Sequence, residues 1–282
     1  MTKMTSRERV LAAVTHRQPD KVPKDISWGL TPAAMRLFRK HTGGDDPQDY
    51  FGIDIRFVGL SVPPTHEAAE VARRRTVFAP YLGDLPTHAG ITEWGTGHVP
   101  GPSSDYYRYI KPMQRFRSVD ELKSYPFPTF DEDWRREHAR QQIAAHHARD
   151  LAVGGAMATT LFETAWQLRG MEELFVDFRF NQEFAAFLLD RMTEIRCQEA
   201  RFLAAQDIDV LVLGDDISMQ TGMIMSLPMW RTWFKGRTAR IIAEARSVRP
   251  GLPIFYHSDG NPEAVIPELI EIGVTILNPV QP

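Results

Sequence analysis

The chain has 282 residues, 43% of them hydrophobic, enough to bury a sizeable core as one large α/β domain or two small ones. Its 33 basic and 36 acidic residues give a net charge of −3 with no basic run, which argues against a polyanion partner held by bulk charge. A single cysteine, Cys197, excludes an intramolecular disulfide and an all-thiolate metal site, and the lack of any signal-length or membrane-length apolar run makes a cytoplasmic protein the expectation.

In chain order, Thr5 and Glu8 form a capping box that opens a helix carrying Val10, Leu11 and Val14 and ending before Pro19. VPKDISW reads as a short strand, Pro32 to His41 as a helix, and IDIRFVGL as a second strand. Residues 62 to 135 are rich in Pro, Gly and aromatic residues with little periodicity, and read as a long loop-rich excursion. A helix over about Trp134 to Arg149 leads to the strand LAVGGAM.

Phe184, Phe187, Leu188, Met192 and Ile195 recur at helical spacing, the stripe of a helix packed on a sheet. IDVLVLGDDIS is then a buried strand ending in acids, Ser226 and Pro228 open a helix reaching about Val248, and the strand LPIFYHSDG, the helix PEAVIPELIEIG and the strand VTILNP follow. The rhythm predicts six parallel strands near 25, 54, 152, 210, 254 and 275 with crossover helices, as either an open doubly wound sheet or an incomplete barrel.

Both architectures carry their chemistry at the carboxyl ends of the strands. Side-chain alternation puts Phe255, His257 and Asp259 on one face of their strand, so His257 and Asp259 project together from its end; the competing explanation is a satisfied core histidine and an Asp-Gly turn. Asp215 and Asp216 follow four apolar strand residues and are candidate acids or bases, against a helix cap or an ion pair. Glu163 is a third such acid, one that a helix dipole would also explain. Trp28, Trp94, Tyr106, Tyr107 and Tyr109 would wall a pocket for a flat ligand or pack a loop, and Met219, Met223, Met225 and Met229 read as core.

Four segments, SRERVLAAVTHRQPDKVP, TLFETAWQLRGMEELFVDF, GDDISMQTGMIMSLPMWR and IFYHSDGNPEAVIPELIEIGVTILNPVQP, together resemble the uroporphyrinogen decarboxylase-like family. The resemblance covers the chain from about residue 5 onward. It implies an α/β fold, a (β/α)8 TIM barrel with its site at the carboxyl ends of the strands. Residues 1–282 would then be a single barrel domain incomplete after about six strands, with the insertion at about 62–135.

Two chemistries occur in that family. Its decarboxylases carry arginines after the first strand that meet the carboxylates of a tetrapyrrole, whereas this chain reads DISWGLTP there, with no arginine before Arg36. Its methyltransferases move a methyl group between a corrinoid and an acceptor, and hold zinc by His-x-Cys after the fifth strand and by a later cysteine. Here that pattern is His257-Ser258-Asp259, and a later ligand would lie beyond Pro282.

The resemblance therefore implies methyl transfer with a corrinoid or another methylated small molecule. His257 and Asp259 would act as zinc ligands or as a proton-handling pair, Asp215, Asp216 and His257 as catalytic groups, and Trp28, Glu163, Gln220 and Asp259 as substrate-binding groups. The alternatives are a tetrapyrrole decarboxylase that needs no cofactor, with Asp216 stabilising a protonated pyrrole, and an inactive fragment. The expected partners are a small-molecule substrate, a corrinoid protein or a second copy of the chain, with no nucleic acid and no membrane.

Overall fold

The computed structural model describes residues 3–26, 28–101 and 107–281. Helices α1 (Ser6–Val14), α2 (Pro32–Thr42) and α3 (Pro47–Tyr50) precede strand β1 (Ile55–Val58). Helix α4 (Pro64–Leu82), the antiparallel meander of β2 (Gly90–Ile91), β3 (Gly97–Pro100) and β4 (Tyr107–Ile110), and helices α5 (Val119–Lys123) and α6 (Asp133–His147) lead to β5 (Ala152–Met157). Helices α7 (Phe162–Arg169), α8 (Met171–Phe180) and α9 (Gln182–Ala204) then bring the chain to β6 (Val210–Gly214), which is followed by the ribbon of β7 (Ser218–Met219) and β8 (Gly222–Met223). Helix α10 (Leu227–Trp230) continues through a π turn (Arg231–Lys235) into α11 (Gly236–Val248), and β9 (Ile254–His257), α12 (Ile266–Glu271) and β10 (Ile276–Asn278) complete the order.

The main sheet is parallel throughout, in the order β1-β5-β6-β9-β10. Alternation along these strands divides their side chains between two environments. Val210, Val212 and Phe255 cluster with Phe57, Ala156 and Ile276 on the concave side, while Leu211, Leu213, Ile254 and Tyr256 join the large core that includes the apolar faces of α9 and α11. An inner cluster of strand side chains backed by outer helices is the wall of a β/α barrel, here open between β1 and β10.

The amino ends of the strands carry an ionic lattice. Asp54, before β1, accepts from Arg9 at 2.6 Å and Ser6 at 2.7 Å, and Asp209, before β6, accepts from Arg7 at 2.9 Å and from the Val153 amide at 2.9 Å. These bonds tie α1 to the bottom of the sheet, where conserving the fold rather than doing chemistry is the task of a barrel end.

The capping box at Thr5 and Glu8 is present, and five of the six expected strands form. The sixth, VPKDISW, does not: residues 21–26 are not in a strand, and Ser27 lies outside the described residues. Lys24 accepts one bond from the Asp54 amide at 2.9 Å, but its own N–H goes to the Asp54 carboxylate at 2.7 Å, and Pro23 has no N–H to offer. A ladder cannot extend from one bond.

The excursion at 62–135 is also more ordered than expected. It contains the 19-residue α4, whose buried positions Arg74, Phe78 and Leu82 recur at four-residue intervals, and the meander. Of the aromatic residues in it, Trp94 is buried against Phe130 and beneath the Arg196 guanidinium, Tyr109 packs on Trp166, Tyr107 is half exposed, and Tyr106 lies outside the described residues. Met225 is core, Met223 and Met229 flank it, and Met219 is exposed.

Candidate active site

The register of β6 against β9 sets the site. Val212 pairs with Phe255 and Gly214 with His257, so the concave face of β6 continues past Gly214 to Asp216, and that of β9 runs through His257 to Asp259. Gly214 leaves room for the histidine: a Cβ there would lie 2.7 Å from the His257 Cβ.

Asp216 Oδ1 accepts the Asp259 amide at 2.8 Å and lies 3.6 Å from His257 Nε2; Asp259 Oδ1 is 4.0 Å from the same nitrogen. Ligand atoms of Asp216, His257 and Asp259 all fall within 4.8 Å of one another.

The imidazole is oriented from behind. His257 Nδ1 lies 2.8 Å from Asn278 Oδ1 on the neighbouring β10, and a carboxamide oxygen only accepts, so Nδ1 donates to it and the ring is held with Nε2 toward the two aspartates. Trp28 stands edge-on to the same ring at 5.5 Å and packs on Phe57, with nearly half of its surface exposed at the mouth.

Asp259 is braced in turn. Gln281 donates to its Oδ1 at 3.0 Å and accepts the Gly260 amide at 3.0 Å, while Asn261 N–H bonds to the Met219 carbonyl at 2.8 Å. Gly260, at φ +86°, lets the β9 loop lie on the ribbon after β6: a Cβ would come within 2.7 Å of the Met219 backbone.

Asp215 and Asp216 point to opposite sides of their strand. Asp215 is buried and accepts the amides of Leu161, at 2.9 Å, and Glu163, at 3.0 Å, capping α7 from another element. Burial raises its pKa to about 6 against these backbone donors. Its oxygens face the helix terminus and do not join the His257 cluster, whereas the sequence expectation grouped it with Asp216 and His257.

Glu163 closes the cluster: its Oε2 accepts the Asp216 amide at 3.2 Å. Burial, then the charges of Asp215 and Asp216, push its pKa to about 8. Among the described residues, no lysine or arginine stands within ion-pair distance of Glu163, Asp215, Asp216 or Asp259. Gln220, in the ribbon turn, is exposed and lines an adjoining groove of about 350 Å³ with Gly260, Asn261 and Gln281.

His257 and Asp259, chosen from alternation alone, thus meet Asp216, Glu163 and Trp28 at one mouth. Asn278 and Gln281 were not anticipated. Alternation would have found the first, because Ile276 and Asn278 share a face of β10, and the same count along Val210, Val212 and Gly214 selects Asp216 over Asp215. Cys197 is buried in α9, its thiol pushed up to about 11 by burial, and belongs to the core and not to the site.

An open β/α barrel wall with its polar cluster beyond the strand carboxyl ends defines an α/β enzyme-type scaffold. Residues 118–279, more than half of the chain, match the uroporphyrinogen decarboxylase (URO-D) family, and the chain belongs to that family. Its fold is similar to that of a methyltransferase from Methanosarcina mazei, at 16% sequence identity and a TM-score of 0.58, over 97% of this chain and 75% of that one. No curated protein matches the sequence. Among the described residues no helix is long and apolar enough to cross a membrane.

Proposed function

We propose that the chain is a one-carbon transferase that moves a methyl group between a corrinoid or other methylated small molecule and an acceptor, with Asp216, His257 and Asp259 holding a zinc ion. The observation that supports this reading is the cluster of three donors within 4.8 Å, its imidazole fixed by Asn278 and its carboxylates without a lysine or arginine partner among the described residues. One imidazole and two carboxylates suit zinc, and three protein ligands leave a position for substrate, as in catalytic zinc sites. When bound, the ion would supply Lewis-acid polarisation of the acceptor, more strongly with two oxygen donors than with thiolates.

The remaining work falls to the chain itself. Asn278 holds the His257 ring from Nδ1 so that Nε2 faces Asp216 and Asp259. Glu163, its pKa raised to about 8 by burial and by the neighbouring carboxylates, could exchange a proton with a leaving group or an acceptor. Asp215 fixes the first turn of α7 and so holds Glu163 beside Asp216. Trp28 shields one side of His257 from water, and Gln220 and Gln281 line the groove where substrate would lie.

The test is methyl loss from methylcobalamin, followed by its visible spectrum, in the presence of thiol acceptors. Turnover is expected for the zinc-loaded protein, with a loss of at least about 100-fold in His257→Ala. Decarboxylation of a carboxylated tetrapyrrole is the second reading, supported by the raised pKa of Glu163, about 8, beside Asp216 and by the exposed ring of Trp28 against His257. Carbon dioxide release without methyl transfer would put it first.

A further inference from the structure

A second concave region lies between the carboxyl end of α4, strand β4 and the start of α5. It is a groove of about 540 Å³ lined by Tyr81, Arg108, Tyr109, Lys111, Arg115 and Glu121. Three cations in one concavity of a chain with net charge −3 call for a reason.

Among the described residues none of the three is held in a close ion pair. None of Arg108, Lys111 and Arg115 lies within 4 Å of a carboxylate among the described residues. Glu121, the carboxylate in the groove, is spent on the amides of Arg117 and Ser118, at 2.6 and 2.9 Å, and on the Ser118 hydroxyl at 3.1 Å. Glu173, whose carboxylate feels Lys111, accepts from Gln114 at 3.0 Å.

The groove also has a definite place relative to the acidic cluster. Strand β4 runs beside α7: Tyr109 stands edge-on to Trp166 at 5.4 Å, and the methylenes of Lys111 approach Gly170. Trp166 is three residues, or about one helical turn, from Glu163.

We propose that this groove binds the anionic group of a small-molecule ligand, a phosphoryl or carboxyl group, through Arg108, Lys111 and Arg115. Two guanidinium forks and an ammonium match the oxygens of either group. The volume is that of a small-molecule site. The site is independent of whether a metal occupies Asp216, His257 and Asp259.

The experiment is calorimetric titration of the full chain with pyrophosphate and, separately, with citrate, at fixed ionic strength so that general screening is constant. Saturable binding of at least one is expected, weakened about tenfold or more in Arg108→Gln/Arg115→Gln and unchanged in Asp216→Asn. Pyrophosphate alone would assign a phosphoryl ligand, and citrate alone a carboxylate. Should the double variant not fold, mass spectrometry of Lys111 acetylation in the unaltered protein reads the same point, with protection expected from the bound anion. Binding that fails to saturate, or that survives the double substitution, or Lys111 acetylated equally with and without anion, would overturn the proposal.

Discussion

At the end of β6, Asp215 turns back to the amides at the start of α7 while Asp216 turns to His257, so removing either carboxylate should act on a different property. Asp215→Ala strips buried amides of their acceptor and is expected to cost about 1–3 kcal/mol in chemical denaturation. Asp216→Ala relieves repulsion among uncompensated carboxylates, and should leave stability within about 0.5 kcal/mol or raise it while abolishing metal binding. Glu163 offers a pH signature. Its folded pKa, about 8, is raised above an unfolded value near 4.3, so its stabilising contribution is complete below about pH 4 and is lost as pH rises toward 8. Glu163→Gln has no proton to release, and melting curves from pH 5 to 9 should show the variant gaining on the native protein as pH rises. Parallel curves would mean that Glu163 ionises normally.

At the scale of elements, the site is held by two loops pressed together at Gly260. Gly260→Ala meets both a positive φ and the Met219 backbone, and is expected to lose roughly 1–3 kcal/mol and to loosen Asp259. Gly251→Ala shares the positive φ, at +77°, but meets nothing within 4 Å, and so isolates the conformational part of the cost without touching the site. Equal losses in the two would show that the close approach to Met219 does not matter. Elements of this kind differ in how far the sequence discloses them. Helices with caps and apolar stripes, such as α1 and α9, and the all-apolar strands β6 and β9 were legible from local pattern. Helix α4 was not, because Arg74 occupies a buried position of its stripe and Pro80 stands inside it. The meander escaped because β2 has two residues and β3 and β4 four each, too short for periodicity. The strand near residue 25 failed for a tertiary reason, the Asp54 carboxylate taking a backbone donor that no local signal reveals.

Over the whole molecule, the two ends of the sheet use acids in opposite ways. At the amino end, Arg9 bonding draws the Asp20 carboxyl well below its usual range, and Arg149 and Arg56 do the same for Asp49. Burial opposes ionisation of Asp54, but Ser6, the Lys24 amide and Arg9 outweigh it and depress its pKa too. Depressed folded pKa values contribute stability that is present above about pH 4 and lost as pH falls below it, so acid should release α1 from the sheet first. Amide exchange in residues 6–14 on lowering the pH from 6 to 3 checks this. At the carboxyl end no lysine or arginine pairs with the acids among the described residues, and their charge is available to an ion. The pairing of His257 with Asp259 was readable from alternation along one strand, but the third donor and the orienting carboxamide come from neighbouring strands whose order only the fold supplies. The most direct test of the account is the zinc content of chelator-washed protein after reloading and removal of excess metal, measured by elemental mass spectrometry beside His257→Ala and Asn278→Ala. About one zinc per chain is predicted, lost in His257→Ala and held about 10–100-fold more weakly in Asn278→Ala. A folded protein that retains no zinc, or one whose zinc survives the loss of His257, would contradict it.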